Sequence, residues 1–286
     1  MERILEKIGE IEYFIDWYTL NHTPGAWTSR HIGPGYEFEK ISEYFVGDDP
    51  KTINWRATAR TGGMITFKNN YLDLKNITIF LLVDVSNSMN FGTRRQSKKY
   101  LAAEIAAILA YSGVRFGDEV GLITWPEVHR LPPRAIPGFF AHIAEEILQI
   151  ETTPSTASLR DALAFLPNKR CLVIILSDYI NFPDLHEDLE YYAKRHDLVP
   201  ILIEDPMEIA FPSRFCFVRL KDLETFKTKE TLHTRETLKR FKDKVTEERE
   251  AVLKSFDALN VAYLRIQDNY PLEDLASFFI DKRSNL

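Results

Sequence analysis

Two cysteines in 286 residues, Cys171 and Cys216, rule out a disulfide framework, and neither sits in Cys-x-x-Cys spacing. Both fall inside apolar runs and read as reduced core residues, which suits a cytoplasmic compartment. Surplus positive charge is also missing. Lys+Arg number 36 against Asp+Glu 42, a formal net charge of −6 with a pI near 5.7, so nothing supplies the clustered cations that grip nucleic acid. No stretch approaches the ~18 uncharged apolar residues of a membrane span. Glu2, Glu6 and Glu10 occupy the place where a secretory leader needs an apolar region. The seven histidines (His22, His31, His129, His142, His186, His196, His233) lie in separate segments without ligand spacing, which argues against zinc. Neither a G-x-x-x-x-G-K-[ST] loop nor a Ser/His/Asp or Cys/His constellation can be assembled, so P-loop hydrolysis and nucleophilic triads are not expected. Internal repeats and low-complexity tracts are absent.

What remains is a soluble chain, 45% hydrophobic, able to bury a full core. Ile4, Ile8, Ile11, Ile15 and Tyr18 recur at spacings of three and four, the stripe of an amphipathic helix over residues 1–20. From Asn21 to about Leu74 glycines and prolines break up short aromatic and β-branched runs, which predicts a β-rich subdomain with several turns. The domain division is therefore 1–75, helix plus β-rich subdomain, and 76–286, an α/β domain. In the second part strands are predicted at 77–83, 119–124, 171–177, 198–203 and 261–266, with a weaker one at 215–219. Helices fall near 97–113, 136–149, 159–166, 184–196, 235–258 and 271–282. That alternation implies right-handed crossovers and a doubly wound, mainly parallel sheet flanked by helices.

Two strands close on acids. The run Ile77–Val83 ends in Asp84-Val85-Ser86-Asn87-Ser88, and the run Cys171–Leu176 ends in Ser177-Asp178. Open α/β sheets bind ligands beyond the carboxyl ends of their strands, at the point where strand order reverses, and both acids would face that crevice. A carboxylate with two hydroxyls is a hard-oxygen donor set suited to Mg²⁺, with Mn²⁺ or Ca²⁺ as alternatives. Two carboxylates side by side repel unless a cation lies between them. The alternative is that Asp84 and Ser86 cap the following helix, and Asp178 a helix starting near Asp184.

Asp84-x-Ser86-x-Ser88-Met89 and the distant Asp178 resemble the metal-ion-dependent adhesion site (MIDAS) of the von Willebrand factor A (VWA) fold. The blocks Gly47-Asp48-Asp49-Pro50, Asn54-Trp55-Arg56, Ser88-Met89-x-Phe91-Gly92, Gly117-Asp118-Glu119-Val120-Gly121-Leu122, Asp205-Pro206-Met207-Glu208 and Leu275 to Arg283 narrow the resemblance to the Domain of Unknown Function 58 (DUF58) family, from about residue 25 to the end. The resemblance implies metal ligation by Ser86 and Ser88 directly and by Asp84 and Asp178 through water. It also implies a threonine from a second loop. Laying that loop's Thr-x-Leu-x-x-x-Leu pattern over Leu159 and Leu163 puts Ala157 at the threonine position, which leaves the adjacent Thr156 as the ligand and Ser158 or Thr153 as weaker substitutes.

The function this implies is a non-enzymatic, Mg²⁺-dependent protein-interaction module that accepts an acidic residue of its partner. Family association suggests a MoxR-type AAA+ ATPase as companion in complex assembly. A Mg²⁺-dependent phosphohydrolase is the rival, because an Asp at a central strand end also begins aspartyl-phosphate chemistry; serine at position 86 removes its usual general acid. A metal-free scaffold is the third reading, on the strength of Ala157. Arg56 and Arg60, a helical turn apart, are expected to pair with Asp48 and Asp49 or to clamp a partner's carboxylate. Glu204, Asp205 and Glu208 form an acidic cluster after the 198–203 strand, either a rim to the crevice or plain turn composition.

Overall fold

The structure is a computed structural model. It describes residues 36–48, 50–62, 64–73, 77–92, 96–151, 158–180, 182, 184–205, 217–221, 228–232, 235–267, 275 and 278, with backbone alone for 36–40, 70–73, 217–221, 228–232, 235–239 and 241–242. The expected helix over 1–20, Asp49, Thr153, Thr156, Ala157, Pro206, Met207, Glu208, Cys216 and most of 271–282 lie outside the described residues. The described chain falls into two compact units, one within residues 19–76 and one from Ile77 onward.

In the smaller unit, strands β1 (Tyr36–Glu43) and β2 (Phe67–Asp73) pair antiparallel, with a register shift between Phe38 and Lys40. Helix α1 (Trp55–Arg60) lies between them in sequence. Asn54 starts it: its side-chain oxygen accepts from the Ala57 N–H at 2.9 Å, while its amide donates to Asn69 Oδ1 at 2.7 Å. The Asn54-Trp55-Arg56 block is thus a helix start tied to β2. The expected partnership of Arg56 and Arg60 with Asp48 is corrected. Both arginines are exposed, and Asp48 pairs instead with Lys68 at 2.6 Å, because a bridge between Ile53 and Lys68 brings β2 beside the Asp48 turn.

The larger unit is built on six strands: β3 (Thr78–Asp84), β4 (Glu119–Trp125), β5 (Arg130–Arg134), β6 (Leu172–Ser177), β7 (Asp197–Ile203) and β10 (Leu264–Ile266). Their order is β10-β7-β6-β3-β4-β5, and every pairing is parallel except that of the edge strand β5. A separate antiparallel pair joins β8 (Phe217–Lys221) to β9 (Thr228–Leu232). The doubly wound α/β class is therefore as expected, and the weak strand near 215–219 belongs to this hairpin rather than to the main sheet.

Alternation along β3 divides the core in two. Ile79, Leu81 and Val83 face one layer with helices α2 (Lys98–Arg115) and α3 (Phe139–Gln149). Phe80 and Leu82 face the other, with α4 (Leu159–Leu163), α5 (Leu185–Ala193) and α6 (Arg235–Ala258). Helix α2 is buried nearly all round, with Ala102, Ala103, Ala106, Ala107 and Ala110 fully buried, and a Cβ at its Gly113 would press on Val120 and Ile79 of the sheet. The Gly117-Asp118 block lies at the amino end of the sheet, where Asp118 accepts from the Ile77 N–H at 3.0 Å. Helix α6 carries the expected i,i+4 pairs, Lys244–Glu248 and Lys254–Glu250, yet it buries Phe256 completely and so is not merely a solvated helix.

Candidate functional site

Strand order reverses between β3 and β6: the chain runs from β3 outward to β4, then returns to β3's other side. Asp84 closes β3 and Asp178 follows β6, so both acids stand at the switch point where such sheets hold ligands. Both are buried, Asp84 at 1% exposure and Asp178 at 5%.

Each carboxylate is oriented by the chain around it. Asp84 Oδ1 accepts from the Ser86 N–H at 2.9 Å, which folds Asp84-Val85-Ser86 into a tight turn, and Oδ2 accepts from Ser177 Oγ at 2.5 Å. Ser86 starts a short 3-10 turn, Asn87–Asn90, without capping it by its side chain. Its hydroxyl lies 3.0 Å from that of Ser88, both half-buried. Met89 is fully buried in the core and anchors the turn. Asp178 Oδ1 accepts from the Ile180 N–H at 3.1 Å, and Oδ2 takes the ammonium of Lys98 at 2.6 Å. The helix-cap alternatives are not what these side chains do: Asp178 caps its own turn, and Asp184 at the start of α5 makes no side-chain cap.

Three contributors escaped the sequence reading: Ser177, Tyr179 and Lys98. Tyr179 adopts a left-handed backbone (φ 51°), a conformation costing about 1–2 kcal/mol for a residue with a Cβ. Its burial offsets that cost: the ring packs on Phe256 and Phe182, the hydroxyl donates to Ile175 O at 3.1 Å, and the N–H donates to Ser177 Oγ at 3.0 Å. The turn so fixed aims Asp178 into the crevice. Lys98 opens α2 after the Ser97 cap. Glycine is required at position 92, because a Cβ there would collide with the backbone of Gln96 and Ser97 just before that helix.

Burial, and then the charge of Asp178, pushes the Asp84 carboxyl up to about 7, against which the hydrogen bonds from Ser177 and Ser86 pull only partly. The same burial, with Asp84 nearby, holds the Tyr179 phenol well above its ordinary range, so it stays neutral. An acid lifted that far by desolvation and a like charge is one a cation would return to its ionised form. Carboxylate and hydroxyl oxygens are the donors Mg²⁺ takes, and these residues fit such an ion. Among the described residues no group of three His, Cys, Asp or Glu side chains could hold a metal, so a softer, zinc-type centre is not formed there.

The remaining sequence candidates sort themselves. Thr156 and Thr153 lie outside the described residues. Ser158 is committed elsewhere: it caps α4 in a reciprocal box with Asp161, its hydroxyl 2.9 Å from Asp161 Oδ2. Glu204 is no acidic rim. Its side chain is 1% exposed and bound by Arg249 of α6 and by Arg265 of β10 at 2.9 Å. Asp205 is buried beside it.

The fold and this edge define a class first, a doubly wound α/β protein with paired acids and hydroxyls at its switch point. The chain belongs to the family described as "Protein of unknown function DUF58", whose family model matches residues 40–251. It is 27% identical over 190 residues to "Uncharacterized protein Rv1480" of Mycobacterium tuberculosis (strain ATCC 25618 / H37Rv), and equally to "Uncharacterized protein Mb1516" of Mycobacterium bovis. Those matches cover 63% of this chain and 58% of each relative, so the chain spans less than two thirds of their length. Among solved structures it is similar to the conserved hypothetical protein BatB from Bacteroides thetaiotaomicron (TM-score 0.46, 14% identity, 74% of this chain and 100% of that one). It is also similar to the SpRpn10 VWA domain (TM-score 0.38, 10% identity, 71% and 94%). Among the described residues no helix is long and apolar enough to cross a membrane.

Proposed function

We propose that this chain is a VWA-like protein-interaction module whose binding depends on a divalent cation at the switch point. One observation carries the reading: Asp84, Ser86, Ser88 and Asp178 present oxygen donors together at the carboxyl edge of the sheet, around an acid that burial has left short of positive charge. Ser86 and Ser88 would ligate Mg²⁺ directly, Asp84 and Asp178 would hold it through water, and Thr156, a few positions ahead of α4 in sequence, would add a hydroxyl. The ion supplies an electrophilic position that an acidic residue of a protein partner fills. Family association makes a MoxR-type AAA+ ATPase the proposed partner, with this chain as its adaptor in complex assembly.

The phosphohydrolase reading gains a lysine from the structure, since Lys98 lies on Asp178, but Ser86 still leaves no general acid two residues beyond Asp84. The test is a calorimetric Mn²⁺ titration of wild type and Asp84→Ala, followed by binding of a MoxR-type ATPase with Mg²⁺ or with EDTA. Saturable Mn²⁺ binding lost in the variant, and ATPase capture lost in EDTA, are expected. A wild-type chain that ignores Mn²⁺ would sink the metal reading, and capture indifferent to EDTA would sink the metal dependence of partner binding.

A further inference from the structure

Lys98 is in an odd place for a lysine. It occupies the first turn of α2, where the unpaired N–H groups make the helix end positive and disfavour a cation by about 0.3–1 kcal/mol. Its side chain is 2% exposed, against the ordinary tendency of lysine to keep its ammonium in water. The ammonium lies 2.6 Å from an Asp178 carboxylate whose side chain is itself 1% exposed, and that ion pair offsets both costs.

We propose that Lys98 is the site's own counter-cation, holding the place beside Asp178 that a divalent ion needs, so that metal capture and departure of Lys98 from Asp178 are one coupled step. This rests on the metal-site reading above. A count of formal charge gives the reason. Among the described residues two carboxylates, both ionised, and one ammonium total −1; a divalent ion added beside the lysine makes that group +1, whereas one that displaces it makes it neutral. Charges a few ångströms apart in a buried site are weakly screened, so the ammonium and the ion exclude each other. The side chain is suited to leaving. Lysine is a single point charge on a flexible four-carbon stem, unlike the two-pronged arginine fork. The ring of Phe91, half-buried, already lies 5.9 Å from Nζ in a cation–π contact that need not be broken when the ammonium leaves Asp178. In the resting state the lysine keeps the acids from repelling each other and keeps metal affinity low.

The experiment is a Mn²⁺ titration by calorimetry of wild type, Lys98→Met and Lys98→Arg. Lysine methylation of the wild-type chain in EDTA and in saturating Mg²⁺, mapped by mass spectrometry, accompanies it. Removing the competing charge should tighten Mn²⁺ binding at least about tenfold in Lys98→Met, within the 5–150-fold range of ordinary site coupling, with no gain in Lys98→Arg. Methylation of Lys98 should be blocked in EDTA and proceed in Mg²⁺, a readout that needs no variant to fold. Wild-type binding with unchanged or weaker binding in Lys98→Met, and Lys98 reactivity indifferent to Mg²⁺, would overturn it alone. Silence from both wild type and Lys98→Met would fell the metal reading, and this proposal with it.

Discussion

Adjacent parallel strands β6 and β7 each end in a buried acid, and the chain treats the two acids differently. Glu204, after β7, is gripped by two arginines, one from α6 and one from β10. Asp178, after β6, pairs with Lys98 and lies near a second carboxylate, Asp84, which burial first and the charge of Asp178 second push up to about 7. The first acid has more positive charge around it than it needs, delivered by guanidinium groups from two elements, which is how a sheet edge is pinned to a helix. Among the described residues the second pair has less. A buried site short of compensation costs stability, and proteins keep such sites where a ligand completes them.

The contrast predicts mutations of opposite sign. Glu204→Gln should destabilise the most, on the order of 3 kcal/mol, since it strands the largely buried Arg249, while the half-exposed Arg265 can turn to water; urea unfolding measures it. Asp84→Asn in EDTA should stabilise the metal-free protein by about 1 kcal/mol, because it removes one of two neighbouring buried charges, keeps Oδ1 as acceptor for the Ser86 N–H and turns the Ser177 bond round, with Nδ2 donating to Ser177 Oγ. Comparable losses in both variants would break the distinction between a knot and a site. The smallest effect belongs to the amino end of the same strands. There His196, buried and stacked on Tyr192 with Nδ1 3.2 Å from Cys171 Sγ, has its pKa lowered by burial first and by Arg195 second, with Asp197 opposing. The unfolded chain therefore takes up a proton near its ordinary value of 6.5 while the folded chain does not. Stability is intact above that pH and declines as pH falls through it toward the lower folded value. A His196→Gln variant should show a flatter unfolding midpoint between about pH 7 and about pH 5; an unaltered slope would remove His196 from the account.

How much of this was legible in the sequence follows from how local each signal is. The parallel strands announce themselves as apolar runs, and Asp84 and Asp178 are conspicuous because an acid directly after such a run is buried with it. Strand β5 escapes because Pro132 and Pro133 read as breakers, although an edge strand tolerates them where no ladder bond is due. Residues 228–232 escape because Thr-Lys-Glu-Thr-Leu lacks a hydrophobic alternation. Lys98 escapes for a subtler reason: Lys98-Lys99 before an apolar helix reads as a solvated helix start, and only the fold brings Asp178, 80 positions away, onto it. The clue available in advance was a cation at the positive end of a helix apolar all round. Tyr179 offered none, since a left-handed tyrosine is set by the pocket that receives its ring. The acidic cluster at 204–208 misled because composition does not disclose burial.

The margins of the main sheet bear on how the chain behaves in crowded solution. Strand β5 closes one side with two prolines, which have no N–H to lend to another strand, between Arg130 and Arg134, both exposed. Strand β10 closes the other with only three residues. Short or proline-blocked margins deny an incoming chain the ladder that seeds fibrils and strand-exchanged dimers. Among the described residues, a sheet bounded in this way presents little template along its hydrogen-bonding direction.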